Sequence, residues 1–94
     1  MFAVIGRAEI DADRVAEVEA ILSQQLLPAV KEMPGFVSGT WTRSLDDKSG
    51  RSVVVFDSED SARAALEAAK GMAPPPGAPL TFGTFDVVTV VAQL

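Results

Sequence analysis

The sequence has no cysteine, histidine, tyrosine or asparagine. Without cysteine it can form neither a disulfide nor a thiolate metal site. Without histidine it lacks both the usual general base at neutral pH and the commonest metal ligand. The loss of histidine, tyrosine and cysteine together removes the usual axial ligands of haem and leaves only methionine among the common ones. Any chemistry therefore falls to carboxylates, lysine, arginine, serine, threonine, the single tryptophan or the backbone. Positive charge is also scarce. The net charge is −5 and the eight basic residues are scattered among acids, which excludes a phosphate-backbone surface and hence nucleic acid. Long apolar runs are missing too, and nothing approaches the ~20 residues needed to span a bilayer. The apolar start Met1-Phe2-Ala3-Val4-Ile5 follows no basic region and is broken by Arg7 and Glu9, unlike a signal peptide. The expectation is a soluble cytoplasmic protein with no metal, cofactor, membrane or nucleic-acid partner.

The 94 residues suit one small domain, 1–94. A chain this short buries roughly two-thirds of its unfolded surface, so a partner would add needed stability. Its pattern is organised around Pro34-Gly35-Phe36-Val37-Ser38-Gly39-Thr40-Trp41-Thr42-Arg43. Pro34-Gly35 stops what precedes it, and the next eight residues read as a strand with Val37, Gly39, Trp41 and Arg43 on one face. A polar tip, Asp46 to Gly50, leads into a second extended run, Arg51 to Asp57. The adjacent acids Asp46 and Asp47 signal a turn and not a metal site, since two carboxylates cannot supply six oxygen ligands.

The flanks of this hairpin each hold one more strand and one helix. Phe2 to Ile10 alternates as a strand. Asp11 and Asp13 then supply a cap and a first-turn carboxylate. Val15, Val18, Leu22, Leu26, Ala29 and Met33 recur at helical steps, so the spacing predicts one helix, bent at Pro28. Ser58-Glu59-Asp60 opens a second helix whose alanine-rich stripe is Ala62, Ala65, Leu66, Ala69 and Met72, closed by Gly71. Pro74-Pro75-Pro76 belongs to a stiff strap, or to a lid over a pocket mouth. Leu80 to Ala92 reads as the last strand.

The order β-α-β-β-α-β predicts a ferredoxin-like α+β fold with a four-stranded antiparallel sheet. Two helices cover only one sheet face, yet strands one, three and four read as apolar on both. A second copy packed sheet to sheet, closing an α/β barrel, would cover the open face. Arg7 on that face would pair with Glu9, Asp86 or the partner's acids.

The helix end Met33-Pro34-Gly35-Phe36-Val37-Ser38-Gly39 and the step Val54-Val55-Phe56-Asp57-Ser58-Glu59-Asp60-Ser61-Ala62, with the short first strand, resemble the dimeric α/β-barrel proteins of the antibiotic biosynthesis monooxygenase type. The resemblance implies a homodimer and a site between sheet and helices. It also implies an activity on a small aromatic substrate that needs no cofactor, or else ligand binding or a structural dimer without catalysis. Haem-degrading members use an Asn, a Trp and a His. Here Gly6 and Ala65 stand in the first two places and histidine is absent, so haem degradation is not implied. No catalytic residue is assigned. The ligand-binding wall expected from the resemblance is Val4, Leu22, Phe56, Leu66 and Trp41, with room left by Gly6 and Ala65 and the proline strap near the mouth. Trp41 is otherwise a core filler between sheet and helix.

Overall fold

A computed structural model describes residues 1–94. Strand β1 (Phe2–Ile10) is central, flanked by β3 (Ser49–Phe56) and β4 (Leu80–Thr89), with β2 (Phe36–Arg43) on the far side of β3. Every neighbouring pair is antiparallel, and the order β2-β3-β1-β4 is that of a ferredoxin-like split βαβ. The helices lie on one face. The strands begin where predicted except β3, which absorbs Ser49 and Gly50, so the hairpin tip tightens to residues 44–48. That tip is held by Asp46, whose carboxylate accepts from Ser44 Oγ at 2.6 Å and from the Lys48 amide at 3.0 Å. Strand β4 ends at Thr89, opposite Phe2 and short of the predicted Ala92, with one more bond beyond it from the Val90 amide to the Met1 carbonyl at 3.0 Å.

The first helical run is continuous but not uniform. A 3-10 turn (Ala12–Arg14), capped by Asp11, leads into α1 (Val15–Ile21). A π-helical turn (Leu22–Leu26) and α2 (Leu27–Lys31) follow. The amide of Leu27 reaches back five residues to the Leu22 carbonyl. This wider turn is how the helix accommodates Pro28, which lacks an amide and would otherwise crowd the carbonyl four residues before it. The extra width also shifts the phase of the apolar stripe. Leu22, Leu26 and Val30 point inward, and Ala29, expected on the stripe, is exposed.

Helix α3 (Glu59–Gly71) is capped by Ser58, whose hydroxyl accepts from the Ser61 amide at 3.1 Å. Ala62 and Ala65 are buried against the sheet, their small side chains allowing close approach. Gly71 is the last helical residue and not a left-handed terminator, that end being closed by Met72. Glu59 pairs with Arg63 at 2.7 Å, whereas Glu67 turns to Lys70 at 3.3 Å instead of to Arg63. The core joins Val4, Val54, Phe56, Ala62 and Ala65, with Phe2, Val30, Met33, Phe36, Trp41, Leu66, Phe85 and Val87 packed around them.

The opposite sheet face is apolar over only part of its length. Ala3, Val55 and Val88 form one row, and Ile5 with Val53 the next, where Asp86 already intrudes from β4. Beyond that, Arg7 stands directly across from Arg51. The apolar residues read on this face from the sequence thus fill its near half, and Arg7, read on the same face, stands in its polar half. Arg7 lies 3.6 Å from Glu9, the first of the acids expected to pair with it.

Candidate functional site

Helix α1, the π turn and α2 carry an apolar stripe but contain no fully buried residue. The stripe faces a cleft of ≈ 140 Å³ between this helical run and the sheet. Val18, Leu22, Leu26, Val30 and Met33 form the roof, and the floor is the helix-facing side of all four strands.

Two β-bulges shape that floor. In β2, Phe36 pairs with Phe56 and Ser38 with Val55, so Val37 is the extra residue. The bulge reverses the alternation. It places Phe36 and Trp41, five positions apart, on the same helix-facing side, where Phe36 meets Phe56 edge to face at 6.4 Å. The sequence reading put Phe36 opposite Trp41 and Val37 beside it, and the bulge overturns both placements, leaving Val37 exposed.

In β4, Gly6 faces Phe85 and Ala8 faces Phe82, so two residues of β1 span three steps of β4. Phe82 and Phe85 consequently both enter the cleft, edge to face at 5.4 Å. A regular strand would send them to opposite sides. The sequence carried a signal for this in Gly83, an isolated strand glycine. A Cβ there would come to 3.1 Å from the Arg7 carbonyl oxygen.

Of the residues singled out from the sequence, Val4, Leu22, Trp41 and Phe56 line the cleft. Leu66 packs against the core cluster but is not part of the cleft wall. Trp41 combines both roles foreseen for it. It packs on the core, its ring covers Gly39, and it walls the cleft. Ala65 is on the wall, but the space expected above Gly6 is occupied. A Cβ at Gly6 would sit 2.9 Å from Phe85 Cε1 and 2.8 Å from Ser52 Oγ. The strap prolines 74–76 are absent from the wall, which takes only Met72 and Leu80 from the two ends of that connection.

The strap is tied instead to the start of the helical run. Arg14 Nη1 donates to the Gly77 carbonyl at 2.9 Å, and the Asp11 amide to the Pro79 carbonyl at 2.8 Å. Arg14 also binds Glu17, and that hydrogen bond holds the Glu17 carboxyl below its ordinary value. On the other side Arg43 joins β2 to α1 through Glu19 and to the hairpin tip through Asp47, and these hydrogen bonds, Glu19 first, raise its already high pKa. Two arginines therefore brace the helical run over the cleft from outside.

Inside, the chemistry is sparse. No carboxylate lines the cleft, and no three histidine, cysteine, aspartate or glutamate residues gather where they could hold a metal ion. Trp41 and Ser52, direct cross-strand partners, both line the wall, and the Ser52 hydroxyl is turned toward Gly6. The Thr42 hydroxyl donates to the Arg51 carbonyl at 2.8 Å. Four of the six aromatic residues, Trp41, Phe56, Phe82 and Phe85, line this one space. An apolar concavity with aromatic walls and a few polar groups suits a flat organic molecule. No helix is long and apolar enough to cross a membrane.

The sequence matches the antibiotic biosynthesis monooxygenase family over residues 1–70, from β1 through nearly all of α3. No curated relative matches the chain.

Proposed function

The chain belongs to the antibiotic biosynthesis monooxygenase family, and from that premise we propose that it is a homodimer whose subunits each hold a small aromatic molecule in the cleft between helices and sheet. The observation that carries this reading is the half-buried stripe of the helical run. An amphipathic helix normally buries such a stripe in the core, and here it roofs an aromatic-walled space. Val4, Leu22, Trp41 and Phe56 would contact the ligand. Ser52 and the Trp41 indole would orient its oxygen.

The reaction proposed is oxygenation of an electron-rich phenol that supplies its own electrons. A ring C–H and the phenolic O–H become the two carbonyls of a quinone. One atom of dioxygen enters the ring and the other leaves as water with the two hydrogens. The protein's part is to desolvate and orient the ring. A second reading, ligand binding without turnover, is favoured by the absence of any carboxylate from the cleft.

Dimerisation would use the open sheet face, where Ile5 and Val53, cross-strand neighbours, are 38% and 43% exposed. The test is oxygen uptake with a panel of phenols, read alongside quinone absorbance. Uptake matched by quinone supports oxygenation, and saturable binding without uptake supports the second reading. Neither result would leave a dimer without a ligand.

A further inference from the structure

We infer that Phe85, seated across Gly6, sets the size of the ring that the cleft admits and limits it to one aromatic ring. The inference rests on the reading that the cleft takes a planar aromatic. Gly6 lies on β1, the central strand, in the middle of the floor, and Phe85 is its direct partner on β4. Both Cε1 and Cδ1 of Phe85 come within 2.9 and 3.1 Å of the point where a Cβ of residue 6 would stand. One edge of the ring therefore uses the space that the missing side chain vacates. Ser52 Oγ closes the same point from β3 at 2.8 Å.

The ring is held there. Phe85 faces the helix side in regular alternation with Val87, and the bulge in β4 brings Phe82 to the same side, where it buttresses Phe85 edge to face at 5.4 Å. What remains is ≈ 140 Å³, close to the engineered cavity of about 150 Å³ that takes a single benzene. Phe85 also lies beyond residues 1–70, so this limit belongs to a part of the chain outside the family match.

Two substitutions act in opposite directions. Phe85→Ala, or the milder Phe85→Leu, frees the space over Gly6 and lets a second fused ring enter. Gly6→Ala drives the Phe85 ring into the cleft and closes it to a single ring. The experiment measures dissociation constants of phenol and 2-naphthol for wild type and the three variants by calorimetric titration, with circular dichroism confirming that each is folded. The wild type is expected to bind phenol saturably. In Phe85→Ala the naphthol-to-phenol affinity ratio is expected to rise about tenfold or more, the scale on which apolar pockets discriminate size, with a smaller rise in Phe85→Leu. Gly6→Ala is expected to lose phenol. Saturable binding with an unchanged ratio in both folded Phe85 variants overturns the gate and leaves the proposed function standing. Absence of saturable binding of either compound by every protein removes both.

Discussion

Replacing Gly35 by alanine should destabilise the protein more than replacing the other left-handed glycine, and the structure gives the difference. Gly35 has φ +78° and Gly77 φ +87°, so a Cβ at either meets the left-handed penalty of about 1–2 kcal/mol. At Gly77 nothing lies within 4 Å of the added atom, and the penalty ends there. At Gly35 the new Cβ overlaps Asp57 Oδ1 and lies 2.5 Å from Ser61 Oγ and 2.7 Å from Ser61 Cβ. Ser61 is fixed by the cap of α3, and the Gly35 carbonyl accepts from the Asp57 amide at 2.9 Å, so neither side gives way cheaply. Overpacking of this kind adds about 1–3 kcal/mol. Gly35→Ala should therefore cost about 2–5 kcal/mol in all, a large share of the total stability of a small domain. Urea unfolding of both variants, analysed for midpoint and slope, measures the gap. Equal midpoints for Gly35→Ala and Gly77→Ala would refute the claim that the turn is wedged against Asp57 and Ser61.

Three further outcomes follow from other parts of the fold. Pro28→Ala should change stability by less than the ~3 kcal/mol of an uncompensated helix proline, because the π turn already accommodates it, and urea midpoints decide this. The Asp46 carboxyl is held below its ordinary value, chiefly by the Ser44 hydroxyl and then by the Lys48 amide. A depressed carboxylate stabilises above its unfolded value of about 3.9 and loses that contribution as pH falls through the lower folded value. The stability gap between wild type and Asp46→Asn should hold near neutrality and shrink on acidification. A gap that widens in acid contradicts the assignment. Light scattering should return twice the 9.9 kDa chain mass at micromolar concentration, and Val53→Lys should lower it. A folded monomer in the wild type contradicts the sheet-to-sheet dimer.

The element order and the strand pairing were legible because period-two alternation, the Pro34-Gly35 break and the Ser58 cap act locally. What escaped was each place where one extra residue changes a phase. Val37 and Gly83 lie at bulges that bring Phe36 to the side of Trp41 and Phe82 to the side of Phe85, and alternation counted across either bulge gives the wrong face. Leu22–Leu26 makes the same kind of error in the helix, moving Ala29 out. The aromatic floor of the cleft depends on the second of these bulges, which brings Phe82 to the wall beside Phe85. Leu66 follows Ala65 on α3, and one helical step carries it off the wall to pack, half-buried, against the core cluster. The room over Gly6 was misjudged for a different reason. A small residue marks space only if no neighbour fills it, and Phe85 does so from across the sheet.

Trp41 is the sole tryptophan and stands on the cleft wall, so its emission reports on the site and nowhere else. Exciting it at a wavelength phenols do not absorb, while titrating a one-ring phenol, tests most directly whether the cleft takes an aromatic. Saturable quenching or a spectral shift that levels off at one ligand per chain is the predicted result. Quenching that rises linearly with concentration and never saturates, as free collision in solvent gives, would contradict it.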